Sequence, residues 1–347
     1  MLLQHRLLLI CGSYSGDLRA RGFFLYMETQ KKYLSLDEQI DLLKKKKLII
    51  NNEKNAKIIL QDIGYYKLIN AYKIPFVEDI LRNGNRTYFD GVTIEHLYDL
   101  HKFDLALEAI TFEATTKIEI KIKALMSDVI SSKYGTKIKK YLNNSNFLPD
   151  KGGDPDEYTF VKMKKFIKGE IKKQIDNKHP AICWYNEKYV DFPFWVVANI
   201  LTLGSISKIY SKLHICDQII IAKYFGLNYS DLGKYLKHVN LVRNVCAHND
   251  VLYRYKAKNN IPQKLIENKY KILGIEKDVV TGRYKQGTND LLSTIIVFNL
   301  LLDKQSFNEF KQKLTSLLKN LNKKIPQKVY DNVIGEMGIV ETYKILK

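Results

Sequence analysis

The chain has 347 residues, 46% hydrophobic and 27% charged, the balance of a globular protein with room for two domains or one large helical body. Its 56 Lys and Arg against 37 Asp and Glu leave a formal net charge of +19. That favours a polyanionic partner, nucleic acid first, although some lysines of so Lys-, Ile-, Asn- and Tyr-rich a chain only solvate helix faces. No apolar run reaches the ~18 residues that span a membrane, and Cys11, Cys183, Cys216 and Cys246 form no CxxC pair. A membrane role, a zinc framework and a redox motif are therefore not indicated, and a reduced cytoplasm fits.

Residues 1–11 hold an apolar core at 7–10 that is too short for a signal segment. We expect residues 1–30 to be a poorly ordered leader, or an extension upstream of Met27 as the natural start. With only 7 Pro and 18 Gly, long helices are expected from there on. Ser35-Leu36-Asp37-Glu38 has the form of a capping box and opens a short helix through Leu43, closed by the cations at 44–47. Residues 52–63 read as a second helix with Gly64 as its stop. Tyr65, Tyr66 and Tyr72 follow and read as core rather than as base-stacking platforms, before Pro75 breaks the segment.

A long helix is predicted over 93–134, with Ile94, Leu97, Tyr98, His101 and Leu105, then Ile118, Ile122, Leu125, Met126 and Val129, at helical spacing. Within it, residues 117–123 alternate like a strand, but no turn residue brackets them. His96 and His101 lack a carboxylate at metal-ligand spacing and read as structural. Residues 143–157 are a loop. Residues 160–175 form a basic helix whose Lys162, Lys164, Lys165, Lys168, Lys172 and Lys173 are a candidate RNA-backbone surface. Pro193 starts a helix running to Leu203, where Gly204 interrupts it, and short helices are expected over 205–213 and 217–225.

Ser230 is expected to cap a helix from Asp231 onward, with Leu232, Tyr235, Leu236, Val239, Val242 and Cys246 as its apolar stripe. Late on that helix stand Arg243, Asn244 and His248. Asn244 and His248 are four apart and share a face, with Arg243 beside them. An always-charged guanidinium suits a phosphate, and a histidine can move protons near neutral pH. Taken alone, a surface salt bridge and a helix-terminal histidine would account for the same residues. A loop over 256–289, an apolar helix over 290–302 and a basic amphipathic helix over 307–321 complete the pattern. The organisation reads as a 31–90 helical region, a 91–325 helical domain with insertions near 143–157 and 256–289, and a 326–347 tail.

Arg243-Asn244-Val245-Cys246-Ala247-His248 resembles the RNxCAH signature of bacterial abortive-infection proteins of the AbiD/AbiF type, a branch of the HEPN superfamily. The resemblance extends over about 31–321. The Gly64-Tyr65-Tyr66-Lys67-Leu68 run up to Pro75-Phe76 is similar to that family's GYYRL…PF block. Leu97-Tyr98-Asp99, with Phe103-Asp104, resembles its LYxFD segment with an extra residue pair, and Ile118-Glu119-Ile120 its IEI segment. Pro193-Phe194-Trp195 and the run from Leu201 to Tyr210 resemble its PxW…LTFGTLSKLY block. Just past the motif, the family often has a further His and an Arg where this chain has Asn249 and Val251.

The resemblance implies an all-α, HEPN-like multi-helix bundle with an N-terminal helical extension, and a role in phage defence. It implies a ribonuclease site at Arg243, Asn244 and His248, with Glu119 or Glu113 as the supporting polar residue on an earlier helix. It also brings a small non-coding RNA as the controlling partner of some relatives, and a homodimer that pairs two motif helices. The chemistry expected is metal- and cofactor-independent. His248 acts as general base or acid, Arg243 stabilises the phosphorane charge, and Asn244 orients one of them. Two classes remain open: an RNA-cleaving toxin-like effector, and a non-catalytic RNA-binding regulator whose motif grips phosphate without cleaving.

Overall fold

The structure is a computed structural model that describes residues 33–78, 86–154, 157–189, 191–270 and 274–339; the expected leader over 1–30 lies outside these residues. Among them every regular element is helical, and extended pairing is limited to isolated bridges. The described residues are all-α, as the family resemblance implies and as the low Pro and Gly content favours. Helices α1 (Leu36–Lys45) and α2 (Glu53–Ile63) start where their caps require. The Ser35 hydroxyl accepts from the Glu38 N–H while Glu38 reaches back to the Ser35 N–H, and the Asn52 side chain accepts from Asn55. A π-turn (Tyr66–Asn70) and a 3-10 turn (Ile74–Phe76) follow. Of the three tyrosines expected in the core, Tyr72 is buried, Tyr65 is half-buried and Tyr66 is 78% exposed.

Helix α3 (Ile94–Tyr134) is the spine. At 1.5 Å per residue it runs about 60 Å, and α7 (Phe194–Ile200), α8 (Leu203–Lys212), α9 (Ile215–Tyr224), α10 (Tyr229–His248) and α13 (Lys304–Asn322) all pack along it. The strand-like alternation at 117–123 resolves by helical geometry. Ile118 and Ile122, four apart, are fully buried, while Ile120 points to solvent at 64% exposure. His96 takes the capping role, its Nδ1 accepting from the Thr93 N–H at 3.1 Å. The basic helix α5 (Phe160–Asp176) packs on α6 (Pro180–Lys188) and α7. A four-residue turn, α4 (Ile138–Tyr141), precedes it.

Several boundaries differ from the sequence expectation. The break between α7 and α8 falls at Leu201–Thr202, not at Gly204, because Thr202 caps α8 by accepting from the Ser205 N–H. Gly204 is instead a close-approach position: a Cβ there would stand 3.0 Å from Asn240 Oδ1. Asn228, not Ser230, caps α10, its side chain accepting from the Ser230 N–H at 2.9 Å. The 256–289 stretch is not all loop, since Pro262 introduces α11 (Gln263–Lys269), which buries Leu265 and Ile266.

Helix α12 (Leu291–Leu301) is buried almost all round, with the Asp290 side chain capping it. Of the expected 326–347 tail, residues 327–337 form α14 (Gln327–Met337), which buries Val329, Tyr330, Val333, Ile334 and Met337 and is packed structure, while 340–347 lie outside the described residues. Gly338 ends it at φ 75°, where a Cβ would collide with the Asp290 carboxylate. The core is one contiguous cluster from Ile40 to Ile339, with no break near residue 90. Among the described residues no helix is long and apolar enough to cross a membrane.

Candidate functional site

Helix α10 carries the Arg243–His248 motif because its other faces hold it rigidly in the bundle. Leu232, Tyr235, Leu236, Val239, Val242 and Val245 are buried. His238 is buried with them, its Nε2 3.0 Å from Thr294 Oγ1 and 3.3 Å from Ser293 Oγ, which pins α10 to α12. Burial pushes the His238 imidazole down to about 4, so it sits neutral in the core. Such a residue is a structural histidine, and the periodicity alone does not mark it.

The helix ends just after His248. Asn249 adopts the left-handed conformation (φ 55°, ψ 44°), its N–H donates to the Cys246 carbonyl, and the Asp250 N–H donates to the Val245 carbonyl at 3.1 Å. This is a Schellman closure, which asparagine tolerates better than most side chains. Lys67, from the π-turn, donates to the Asn249 carbonyl at 3.1 Å. With the Asn249 amide turned to suit its neighbours, its nitrogen donates to Glu108 Oε2 at 3.1 Å and its oxygen accepts from Lys67 at 2.7 Å.

Glu108 stands on α3 one turn beyond Asp104. Asp104 is fully buried and accepts from the Tyr72 hydroxyl (3.0 Å) and from the Leu252 (3.2 Å) and Tyr253 (2.8 Å) N–H groups. It thereby fixes the chain leaving the motif. Tyr72 stacks on Tyr253 and meets His101 edge-on. Burial raises Asp104 to about 6, and burial together with the Asp104 charge raises Glu108 to about 8. The Cys246 thiol, pushed up to about 12 by burial and by Glu108, is not a nucleophile at neutral pH.

These carboxylates, not the two expected from sequence, support the motif helix. Glu113 points away and pairs with Lys117 and Lys313. Glu119 pairs with Lys123 at 2.7 Å and lines a cleft with Arg243, without contacting the helix end. The available signal is the helical register. Asp104 and Glu108 fall on the face that buries Leu97, Leu100, Leu107 and Thr111, where a carboxylate needs a partner.

The motif residues separate into two environments. Arg243 is half-buried, with its guanidinium over the Phe112 ring at 5.3 Å. It stands at the junction of two clefts. One, about 590 Å³, lies between α3 and α7 and is walled by Phe112, Glu119, Ile120 and Trp195. The other, about 410 Å³, lies between the start of α8 and α10 and includes Lys208, Lys237, Asn240, Arg243 and Asn244. Among the described residues no acidic side chain lines this second groove.

Asn244 and His248 are exposed. His248 lines neither cleft, but it continues the row of Lys237, Leu241 and Asn244 along α10, one turn beyond the groove. Of the α5 lysines, Lys162, Lys165, Lys168, Lys172 and Lys173 are exposed and Lys164 is half-buried. Their helix packs on α7, which also supplies Trp195 and Asn199 to the Arg243 cleft. Among the described residues no three His, Cys, Asp or Glu side chains come together as a metal site would need.

Residues 58–254 match the family described as Abi-like protein, a span that runs from α2 through the motif to the Asp104-bound loop. No curated protein and no solved structure matches the chain.

Proposed function

From the premise that the chain belongs to the Abi-like protein family, whose name points to abortive infection and so to phage defence, we propose that it is a HEPN-type endoribonuclease of the AbiD/AbiF kind. The carrying observation is the placement of Arg243. It is held over Phe112, lines an acid-free groove together with Asn244, and His248 lies one turn beyond Asn244 on the same helix.

In this reading the nucleophile is the RNA's own 2′-hydroxyl. His248 takes its proton as the 2′-oxygen attacks the adjacent phosphorus. Arg243 donates to the non-bridging oxygens as their charge develops. The bond to the 5′-oxygen breaks, and that oxygen takes a proton from a second acid, leaving a 2′,3′-cyclic phosphate and a 5′-hydroxyl. One chain offers one such histidine, so His248 of the partner subunit in a homodimer is the natural second group. A small non-coding RNA is the proposed controlling partner. Asn244, beside both, orients the phosphate or the imidazole.

The alternative is a non-catalytic RNA-binding regulator, which the position of His248 outside both clefts favours. One experiment separates them. The protein, freed of co-purifying RNA, is incubated with total RNA in EDTA and the new ends are mapped. The ribonuclease reading expects 5′-hydroxyl ends, lost ~10²–10⁴-fold in His248→Ala and Arg243→Ala with thermal stability retained. Cleavage that requires added magnesium would refute the mechanism, and binding without cleavage would favour the regulator.

A further inference from the structure

The Leu201–Tyr210 block has no part in the chemistry above, yet α8 presents its first turn to the side of α10 that carries Asn244. Thr202 satisfies the Ser205 N–H, while the N–H groups of Leu203 and Gly204 have no preceding carbonyl within the helix to bond. Open N–H groups at a helix start attract anions, but most helix starts hold none.

Two further observations single this one out. First, Lys208, Lys237 and Arg243 converge on the same acid-free groove. Lys208 is steadied over the Tyr158 ring at 5.3 Å. Second, Ser207 lines the groove at only 3% exposure, and its buried hydroxyl has no hydrogen-bond partner. Gly204, Ser207 and Lys208 are spaced i, i+3 and i+4, so they share the face of α8 turned to α10. Gly204 keeps that face open, since any side chain would press on Asn240. A donor-rich, carboxylate-free floor with an unused hydroxyl suits an oxyanion and repels a cation.

We propose that this groove is a second phosphate subsite for single-stranded RNA, next to the phosphate held by Arg243. The N–H groups of Leu203 and Gly204, the Ser207 hydroxyl, Lys208 and Lys237 grip one backbone phosphodiester. The strand then follows the α10 row from Lys237 past Asn244 to His248, about 16 Å along the helix. The identity of the strand rests on the ribonuclease reading, but the grip itself is separable from cleavage.

The test is an anisotropy titration of the full-length protein with a labelled 2′-O-methyl RNA oligomer, which cannot be cleaved through its 2′-oxygen, over a range of salt. The Lys208→Ala/Lys237→Ala double variant should lower the slope of log K against log salt by about 0.7 and the affinity roughly fourfold near 0.15 M salt, with each single variant falling in between. Lys54→Ala, on α2, should change neither. Ser207→Ala should weaken binding while leaving the thermal midpoint undiminished, since its hydroxyl supports nothing in the free protein. Unchanged affinity and slope in the Lys208/Lys237 double variant, or no binding by the wild type, would overturn the subsite. Cleavage of unmodified RNA is scored separately. A wild type that binds through these lysines without cutting leaves the subsite standing and removes the ribonuclease reading. One that cuts while the double variant binds normally does the reverse.

Discussion

Lys67 and Asn249, 182 positions apart, meet at the end of the motif helix, where the Lys67 ammonium donates to the Asn249 carbonyl at 3.1 Å. Lys67 is presented by a π-turn, an uncommon geometry that recurs at functional sites. Asn249 is the left-handed residue that stops α10 right after His248. The N-terminal region thus clamps the last turn of the helix on which the proposed chemistry depends.

That clamp can be separated from the turn itself. Asn249→Gly keeps the left-handed backbone but loses the side-chain bonds to Glu108 and Lys67. Asn249→Ala loses those bonds and also strains the backbone, by about 1 kcal/mol more. Urea unfolding should rank the alanine variant below the glycine variant. Amide exchange should show faster opening at 246–250 in both variants. Equal stabilities would mean that the left-handed conformation costs nothing here.

Glu108 sets a pH dependence. Its carboxyl ordinarily titrates at 4.5 and is raised to about 8 in the fold, first by burial and then by Asp104. Below pH 4.5 both states hold the proton and the group contributes nothing. Between 4.5 and about 8 the unfolded chain loses the proton while the folded chain keeps it, so stability falls as pH rises. Glu108→Gln cannot ionise. Its stability advantage over the wild type should grow from near zero at pH 5 to a plateau above pH 8, on the order of 2 kcal/mol once screening by Lys67 is allowed for. Thermal unfolding across that range reads it directly. An advantage that shrinks with pH would show that the carboxylate is ionised and paired in the fold.

The helices are legible where local chemistry fixes them. Ser35 and Glu38 cap α1, Gly64 stops α2, and the register of Ile118 and Ile122 identifies α3 despite a strand-like alternation. Helix α14 is not legible in the sequence pattern, which reads 326–347 as a tail. What holds it is burial of Val329, Val333 and Met337 against distant elements. The same applies to the site. Arg243, Asn244 and His248 are local in sequence. Their supports, Lys67, Asp104 and Glu108, are brought there by tertiary packing; the register of α3 marks the two carboxylates as buried, but not which distant groups they meet. Phe112 under Arg243 is another such residue.

The α5 lysines give a charge test at a second place. Lys165, Lys168 and Lys172 are exposed and Lys164 is half-buried, on a helix that packs against α7, one wall of the Arg243 cleft. Replacing these four with Glu should lower affinity for single-stranded RNA and flatten its salt dependence, by up to ~0.7 for each phosphate no longer gripped. Circular dichroism should be unchanged, since the buried face is Phe160, Met163, Ile167 and Ile171. An unaltered salt slope would confine RNA binding to the α8–α10 side.

The proposed mechanism calls for a second copy of the chain. His248 and Asn244 are exposed, and Phe112, Ile120 and Trp195 around Arg243 are 37%, 64% and 41% exposed. Apolar exposure of that size beside the proposed proton-transfer residues suits a two-fold contact with a second copy, the commonest closed symmetry. Phe112→Glu should then convert a dimer to a monomer in light scattering and reduce cleavage together with it. Mixing His248→Ala chains into wild-type protein under subunit exchange should lower activity below the level of simple dilution, because each mixed dimer has only one of its two proton-transfer groups. Activity proportional to the wild-type fraction, from a species that scatters as a monomer, would require both proton transfers to be served within one chain.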